Sequence, residues 1–295
     1  MYKIGIDLGG TKIEGIILDE KLNEVFRKRI ATEQEGGYEH ILNNIKKLYN
    51  ELVREIKNND HTFGIGTPGS ISSHTGLMKN SNTICLNGKP LVSDLEKLIN
   101  RKVVIENDAN CFAIAEALMG AGKNYDMVFG VIMGTGCGGG IVYKGNVITG
   151  KQKIAGEWGH STIDPKNGPA CYCGKRGCVE TYISGGGLEA RYFEVYQQKK
   201  KAEQIFTEYK IQEEKSVKIV HDFFDHFGIA LSNLINILDP DLVVLGGGLS
   251  NLDELYSLGI NSVRKYIFND TLITPIVKNH CGDSAGVWGA ALIGN

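Results

Sequence analysis

The sequence predicts a mixed α/β protein built as two domains, and three patterns carry that reading. Strand-like apolar runs alternate with helix-spaced runs through the first 120 residues, the arrangement of strand-helix-strand units. Two hairpins of one design, "YKIGIDLGGTKIEGIILDE" and "MVFGVIMGTGCGGGIVYKGNVI", each turn on glycine. With 295 residues, 42% of them apolar, the chain has enough material for two cores of ordinary size.

In the first hairpin, Ile4, Ile6 and Leu8 alternate ahead of Gly9 and Gly10, and Ile13, Ile16, Ile17 and Leu18 follow, which reads as strand, turn, strand. Over 38–57, Ile41, Ile45, Leu48, Leu52 and Ile56 recur at steps of three and four, the spacing of an amphipathic helix. "HTFGIGTPGSI" is a buried strand and loop, followed by a short helix over 91–99, the strand "KVVIEND" and a helix over 109–118. A boundary near Gly120 to Gly122 gives a small N-terminal α/β domain over 1–120 and a larger α/β domain over 121–283, with a C-terminal helix over 284–295 packing back on the first. The later half carries two long helices, 187–209 and 214–238, whose runs "QQKKKAEQ" and "IQEEKS" are solvated faces and a connecting turn. "PDLVVLGGGLSNLDELY" reads as buried strand, glycine turn and helix.

Lys and Arg number 32 against 34 for Asp and Glu, so the formal charge of -2 offers no footprint for nucleic acid or an acidic membrane. "MYKIGIDLGG" contains no signal-peptide pattern, and no apolar stretch near 18 residues follows, which points to the cytoplasm. Four cysteines, at 85, 111, 137 and 281, stand singly in apolar segments as small core residues. The other three crowd into "CYCGKRGCVET", and in a reducing compartment such a cluster points to metal or redox chemistry ahead of a structural disulfide.

"GTGCGG" matches the dinucleotide pattern G-x-G-x-x-G, with Glu157 at the distance of a ribose ligand. That fingerprint requires its last glycine to open a helix, whereas "GIVYKGNVI" alternates like a strand, so the dinucleotide reading fails. Two facing glycine hairpins instead make a phosphate cradle of backbone N–H groups, the arrangement of actin-like ATPases and sugar kinases. Asp7 ends its strand where a carboxylate holds hydrated magnesium, and Gly9, Gly10, Thr11 and Lys12 face the phosphates. Gly134, Thr135, Gly136 and Cys137 form the opposing loop, and Gly246, Gly247 and Gly248 are placed to lie under an adenosine.

"VVIENDANCFAIAEAL" sets Asn107 and Asp108 at a strand-helix junction, where an acidic residue either caps the helix or serves chemistry. A hydroxyl is a poor nucleophile until its proton is accepted, so phosphoryl transfer wants one carboxylate beside it, and Asp108 is the candidate base. Glu157, His160 and Glu180 stand in glycine-rich, loop-like segments suited to binding a polyol.

The chain resembles the ROK family of sugar kinases and sugar-responsive repressors over essentially its full length. "IGIDLGGTK", "END", "MGTGCGGGI", "AGEWGH", "CYCGKRGCVET" and "DLVVLGGG" stand in that family's order and spacing. "TPGSISSHTGLMKNSNTICLNGKPL" and "HCGDSAGVWGAALI" resemble the bacterial fructokinase, or manno(fructo)kinase, branch. The resemblance implies an actin-like ATPase (ribonuclease H-like) fold, two α/β domains flanking an active-site cleft, ATP with Mg2+, and a homodimer formed through the larger domain. It also implies that Asp108 is the base and that Asn107, Asp108, Glu157, His160 and Glu180 contact the sugar, with Gly69, Ser70 and Asn82 lining its site. The expected activity is ATP-dependent phosphorylation of fructose to fructose 6-phosphate, with mannose or glucose also accepted. The alternative is a kinase for N-acetylglucosamine or N-acetylmannosamine. A repressor of the same family is disfavoured, because such proteins carry a DNA-binding extension ahead of the first strand, which begins here by Lys3.

His160 with Cys171, Cys173 and Cys178 gives one imidazole and three thiolates, a closed tetrahedral set for structural zinc. The C-x-C and C-x4-C spacings are not the C-x-x-C redox unit, and Gly174 and Gly177 let the loop fold tightly around an ion. The loop lies between Glu157 and Glu180, so zinc is expected to order the sugar pocket without joining the chemistry.

Overall fold

The structure, a computed structural model, describes residues 1–294 and separates into two compact units. The first comprises 1–120, 140–155 and the residues from 281 onward; the second comprises 121–139 and 156–280.

The first unit opens with strands β1 (Tyr2–Leu8), β2 (Lys12–Leu18) and β3 (Glu24–Ala31), continues through helix α1 (Gly37–Glu55) to β4 (His61–Thr67), and forms the small pair β5 (Ser70–Ile71) and β6 (Met78–Lys79). Helix α2 (Leu91–Ile99), strand β7 (Val104–Asn107) and helix α3 (Asp108–Met119) follow. The sheet order is β3-β2-β1-β4-β7, antiparallel across the first hairpins and parallel from β1 through β4 to β7. The alternation of the first run is realised directly: Ile4, Ile6 and Leu8 are fully buried, as are Ile13, Ile16, Ile17 and Leu18. The apolar stripe of α1, with Ile41, Ile45, Leu48 and Leu52 all at 0% exposure, covers Ile4, Ile6, Leu8, Ile13 and Ile17, whereas Ile16 and Leu18 pack with Val287 and Ala291.

The second unit begins with β8 (Met127–Met133), and β9 (Cys137–Tyr143) leaves it to end in the first unit, where β10 (Asn146–Val147) pairs with its last residues. The last glycines of "GTGCGGG" are therefore strand, as their alternation requires, and no helix opens there. Helices α4 (Glu180–Ile183), α5 (Gly185–Tyr196), α6 (Ala202–Lys210) and α7 (Glu214–Leu238) precede β11 (Leu242–Gly246), α8 (Leu258–Tyr266) and β12 (Ile276–Lys278). Strand β11 pairs in parallel with β8 on one side and β12 on the other, and Leu242, Val243, Val244 and Leu245 are buried between them. One face of α7, including Phe223, Phe227 and Leu231, is fully buried.

The single helix expected over 187–209 is two. Tyr196 ends α5, Gln197 takes a left-handed conformation (φ 54°), and α6 starts at Ala202. Gln197, Gln198 and three lysines carry the chain past the position where an apolar residue would have to repeat, so no buried face holds the turn. The Glu189 carboxylate, at 3.1 Å from the Ala202 amide, instead caps the new helix. After β11, two 3-10 turns over 248–251 and 253–256 precede α8, so the expected helix begins later than its sequence suggests.

The last helix, α9 (Ala285–Ile293), belongs to the first unit and packs on β1, β4 and α3. Residue 295, at the end of the helix expected over 284–295, lies outside the described residues. Approach is close enough that a Cβ on Gly5 would sit 2.3 Å from the Ala291 nitrogen, and one on Gly64 would sit 2.1 Å from the Ala290 oxygen. Glycine on both strands is what lets the helix seat. No helix among the described residues is long and apolar enough to cross a membrane.

Candidate active site

On the first unit, the "DLGGTK" turn is held by its own backbone and by Thr32. The Gly9 amide donates to the Lys12 carbonyl at 2.9 Å, the Thr32 amide to the Thr11 carbonyl at 3.0 Å, and the Thr32 hydroxyl to the Gly9 carbonyl at 2.7 Å. Gly10, Thr11 and Lys12 complete the turn, with Thr11 and Lys12 exposed. Asp7 stands just before it, and its carboxyl is raised from 3.8 to about 6 by burial, then by the charges of Asp108 and Glu14, with Lys12 and Arg29 opposing. Glu14 is bound by Arg29, whose Nη2 lies 3.0 Å from both carboxylate oxygens. A carboxyl lifted by burial and by a second carboxylate is short of positive charge, which fits a hydrated divalent cation.

Asn107 and Asp108 stand at the junction of β7 and α3. The Asn107 side chain caps α3, accepting from the Asn110 amide at 2.7 Å, while Asp108 is the first helical residue and its Oδ1 accepts from the Ala109 amide at 2.9 Å. The cap is thus the asparagine, and it fixes the place from which Asp108 projects. Gly69 turns with φ 85° where a Cβ would sit 2.5 Å from the Lys79 oxygen, and Ser70 opens β5. Asn82 is exposed between Ser81 and Thr83, in a loop fixed by paired hydrogen bonds between Ser81 and the Asn87 side chain at 2.9 and 2.8 Å.

On the second unit, the glycine loop is built from several segments. The Gly134 amide donates to the Gly136 oxygen at 2.9 Å; the Gly185 and Gly186 amides donate to the Gly134 and Thr135 oxygens at 2.8 and 3.0 Å. Glu180 Oε2 accepts from the Cys137 amide at 2.8 Å, and a Cβ at position 136 would lie 2.7 Å from that oxygen, so a side chain there would push the carboxylate off its bond. The Cys137 thiol is buried and pushed up by desolvation and by Glu180, so this residue acts through its backbone. Gly246 ends β11, and Gly247 passes the Met133 carbonyl at φ 78°. Beside these loops lies a cavity of about 590 Å³ lined by Gly134, Thr135, Gly186, Lys201, Phe206 and Gly248 among others.

The sequence reading missed part of this cavity. With "IQEEKS", "QQKKKAEQ" was expected to supply solvated faces and a connecting turn, yet Lys201, Ala202 and Glu203, at and just after the start of α6, line the cavity. Gly185 and Gly186 were also missed, although "SGGG" directly after "CVETYI" is the sequence sign of a close backbone approach.

Glu157 leads into the turn Trp158–His160, and Trp158 anchors it. Its Nε1 donates to the Gly138 oxygen at 3.0 Å, and its ring meets Phe129 edge-on at 5.7 Å. His160, Cys171, Cys173 and Cys178 converge so that their ligand atoms all lie within 4.8 Å of one another. His160 Nδ1 is 3.7 Å from Cys171 Sγ, and the Cys173 and Cys178 sulfurs are 3.6 Å apart. Ligand edges of about 3.8 Å are what a tetrahedron of 2.3 Å zinc-sulfur bonds requires, so the donor set fits zinc. The loop is shaped by Cys171 N–H to the Lys175 oxygen at 2.8 Å and by positive φ at Gly174 and Gly177.

With this geometry in hand, likeness to known proteins is informative. The family model described as "ROK family" matches residues 3–295. An N-acetyl-D-glucosamine kinase of Vibrio atlanticus is 41% identical, covering 98% of both chains. A ROK hexokinase from Thermus thermophilus superposes with a TM-score of 0.91 at 31% identity, covering 100% of this chain and 98% of the other. A ROK glucokinase from Streptomyces griseus, solved with glucose and AMPPNP, gives 0.75 at 26% identity, covering 99% and 98%.

These relatives correct one expectation. The fructokinase-branch assignment, with fructose as substrate, is overturned: full-length relatives at 36 to 41% identity are named N-acetyl-D-glucosamine kinases. The physical reason is that the motifs legible in sequence are assigned to phosphate, proton and metal, chemistry that does not depend on which sugar is held. Discrimination at the second sugar carbon depends on pocket room, and residues 69–82, expected to shape it, do not spell that room out in residue types.

Proposed function

The chain belongs to the ROK family, it has the α/β actin-like ATPase fold, and it is an ATP-dependent sugar kinase; on that premise we propose that its substrate is N-acetyl-D-glucosamine, phosphorylated on the 6-hydroxyl. The observation that carries the choice of sugar is the 41% identity over 98% of the chain to a kinase of that name.

In this reading, Asp108 accepts the proton of the primary hydroxyl, whose oxygen attacks the γ-phosphorus of ATP as the bond to ADP breaks. Magnesium, held through water by Asp7, offsets phosphate charge when bound. The loop of Gly9, Gly10, Thr11 and Lys12 and the loop of Gly134, Thr135, Gly136 and Cys137 face the phosphates, and Gly246, Gly247 and Gly248 support the adenosine. Asn107, Glu157, His160 and Glu180 hold the sugar, with Gly69, Ser70 and Asn82 in the segment that shapes its site. His160, Cys171, Cys173 and Cys178 hold structural zinc, supported by their mutual spacing. The homodimer and the cytoplasmic setting belong to the same reading and rest on the resemblance.

The test is a coupled assay with ATP and magnesium across N-acetylglucosamine, N-acetylmannosamine, mannose, glucose and fructose. The highest kcat/KM is expected for N-acetylglucosamine; a preference for any other sugar in that panel overturns the choice.

A further inference from the structure

His160 has two ring nitrogens and two different neighbours. Nδ1 faces Cys171 Sγ at 3.7 Å, and Nε2 lies 2.9 Å from the Tyr172 hydroxyl, the two rings meeting edge to face at 5.1 Å and 85°. With Nδ1 on the metal side, a neutral ring carries its proton on Nε2 and donates it to the phenol oxygen.

The choice of acceptor is unusual. A metal-ligating imidazole ordinarily donates to a carboxylate, a backbone carbonyl or a water. Here the acceptor is the tip of a side chain that is 82% exposed, on a loop that turns at Gly174 with φ 88°. Little burial is lost if the phenol swings away, so the bond is replaceable. The carboxylates whose charges bear on this phenol are Glu180 and Glu157, and Tyr172 lines a cavity of about 220 Å³ together with Glu180. Tyr172 therefore stands where the three second-unit residues assigned to the sugar converge, and it brings a hydroxyl of its own to that place.

We propose that Tyr172 is an internal stand-in for a sugar hydroxyl: without sugar its phenol oxygen accepts the His160 Nε2 proton, and the bound substrate replaces it with a hydroxyl oxygen. The inference rests on the reading of His160 as a sugar contact. Each sugar that binds gives up the internal bond first, so the tyrosine sets how tightly any sugar is held. Phenylalanine keeps the ring beside His160 and removes the competing oxygen. Asp108 and the phosphate loops are untouched.

The experiment compares zinc-loaded wild type with Tyr172→Phe, titrating N-acetylglucosamine while following the His160 Nε2–H resonance, the tyrosine ultraviolet difference spectrum and steady-state kinetics. In Tyr172→Phe, sugar Kd and KM are expected to fall about three- to tenfold, the worth of one neutral hydrogen bond, with kcat and zinc content unchanged. Sugar should also produce a tyrosine difference signal in wild type that the variant lacks. A raised Kd, or zinc loss in the variant, would make Tyr172 a permanent orienting partner and overturn the proposal, as would an unchanged Kd with the same difference signal in both proteins. If sugar binds but leaves the His160 resonance unmoved in both, the assignment of His160 to the sugar fails instead.

Discussion

The Glu180 carboxylate accepts a 2.8 Å hydrogen bond from the Cys137 amide, so a side chain assigned to the sugar also closes the glycine loop assigned to phosphate. Losing a charge-assisted bond of about 1.5–3 kcal/mol should disturb both substrates. Glu180→Ala is expected to raise the KM of ATP by roughly tenfold or more in addition to raising that of the sugar, and Gln, which keeps an acceptor oxygen, should recover the ATP effect more than the sugar effect. Initial rates with both substrates varied decide it; a change confined to sugar KM shows that the loop does not depend on this bond.

Asp108 is the candidate base, and the asparagine ahead of it carries the helix cap. Asp108→Asn should therefore fold normally and bind sugar, while kcat falls by roughly 10²- to 10⁴-fold. Calorimetric sugar titration beside the kinase assay checks both halves, and near-full turnover would remove Asp108 from the role.

Asp7 ionises near 3.8 in an unfolded chain and near 6 in the fold, where burial and Asp108 hold the proton on. The protonated group favours the fold below pH 3.8, and that contribution is lost as pH rises to about 6. In magnesium-free buffer, Asp7→Asn should gain thermal stability over the parent across that window and keep a constant lead at higher pH. Its kinase activity should drop by roughly a hundredfold. Melting curves from pH 4 to 8 test the prediction; equal midpoints at pH 7 would contradict it.

Cys173 is the exposed member of its cluster, so serine there disturbs little packing. Metal analysis should find about one zinc per chain in the parent and much less in Cys173→Ser, with a lower melting temperature and weaker sugar binding, since structural zinc contributes on the order of 10 kcal/mol to folding. Unchanged melting and sugar affinity in metal-free protein would exclude a structural ion.

Gly186 passes the Thr135 carbonyl so closely that a Cβ would lie 2.7 Å from the oxygen. Gly186→Ala should shift the nucleotide loop and raise ATP KM by roughly tenfold, while sugar Kd changes by less than about twofold. Parallel effects on both constants would show a general loss of fold.

The hairpins, helix α1 and the strand-helix junction at Asp108 were legible because each is written in local period and glycine placement. Ile4, Ile6 and Leu8 are buried as their alternation requires, and the strand after "GTGCGGG" follows from its own pattern. The break at Gln197 was not legible, because a run of charged residues reads equally as a solvated helix face and as a turn. With it went Lys201 and Glu203 as cavity-lining residues. The sugar was misread for another reason: the residue types assigned to phosphate, proton and zinc would be the same whichever sugar is held.

Helix α9 seats against glycines in β1 and β4, so the first sheet is closed by residues synthesised after the whole of the second unit. On the ribosome, the face of β1 and β4 left for α9 stays uncovered until α9 emerges, whereas residues 156–280 are already complete. The order of folding during translation is then inverted relative to the order of the sequence, with the later unit free to finish first. A ribosome stalled near residue 280 would hold a first unit with Ile16 and Leu18 uncovered, the kind of exposed apolar surface on which incomplete chains associate.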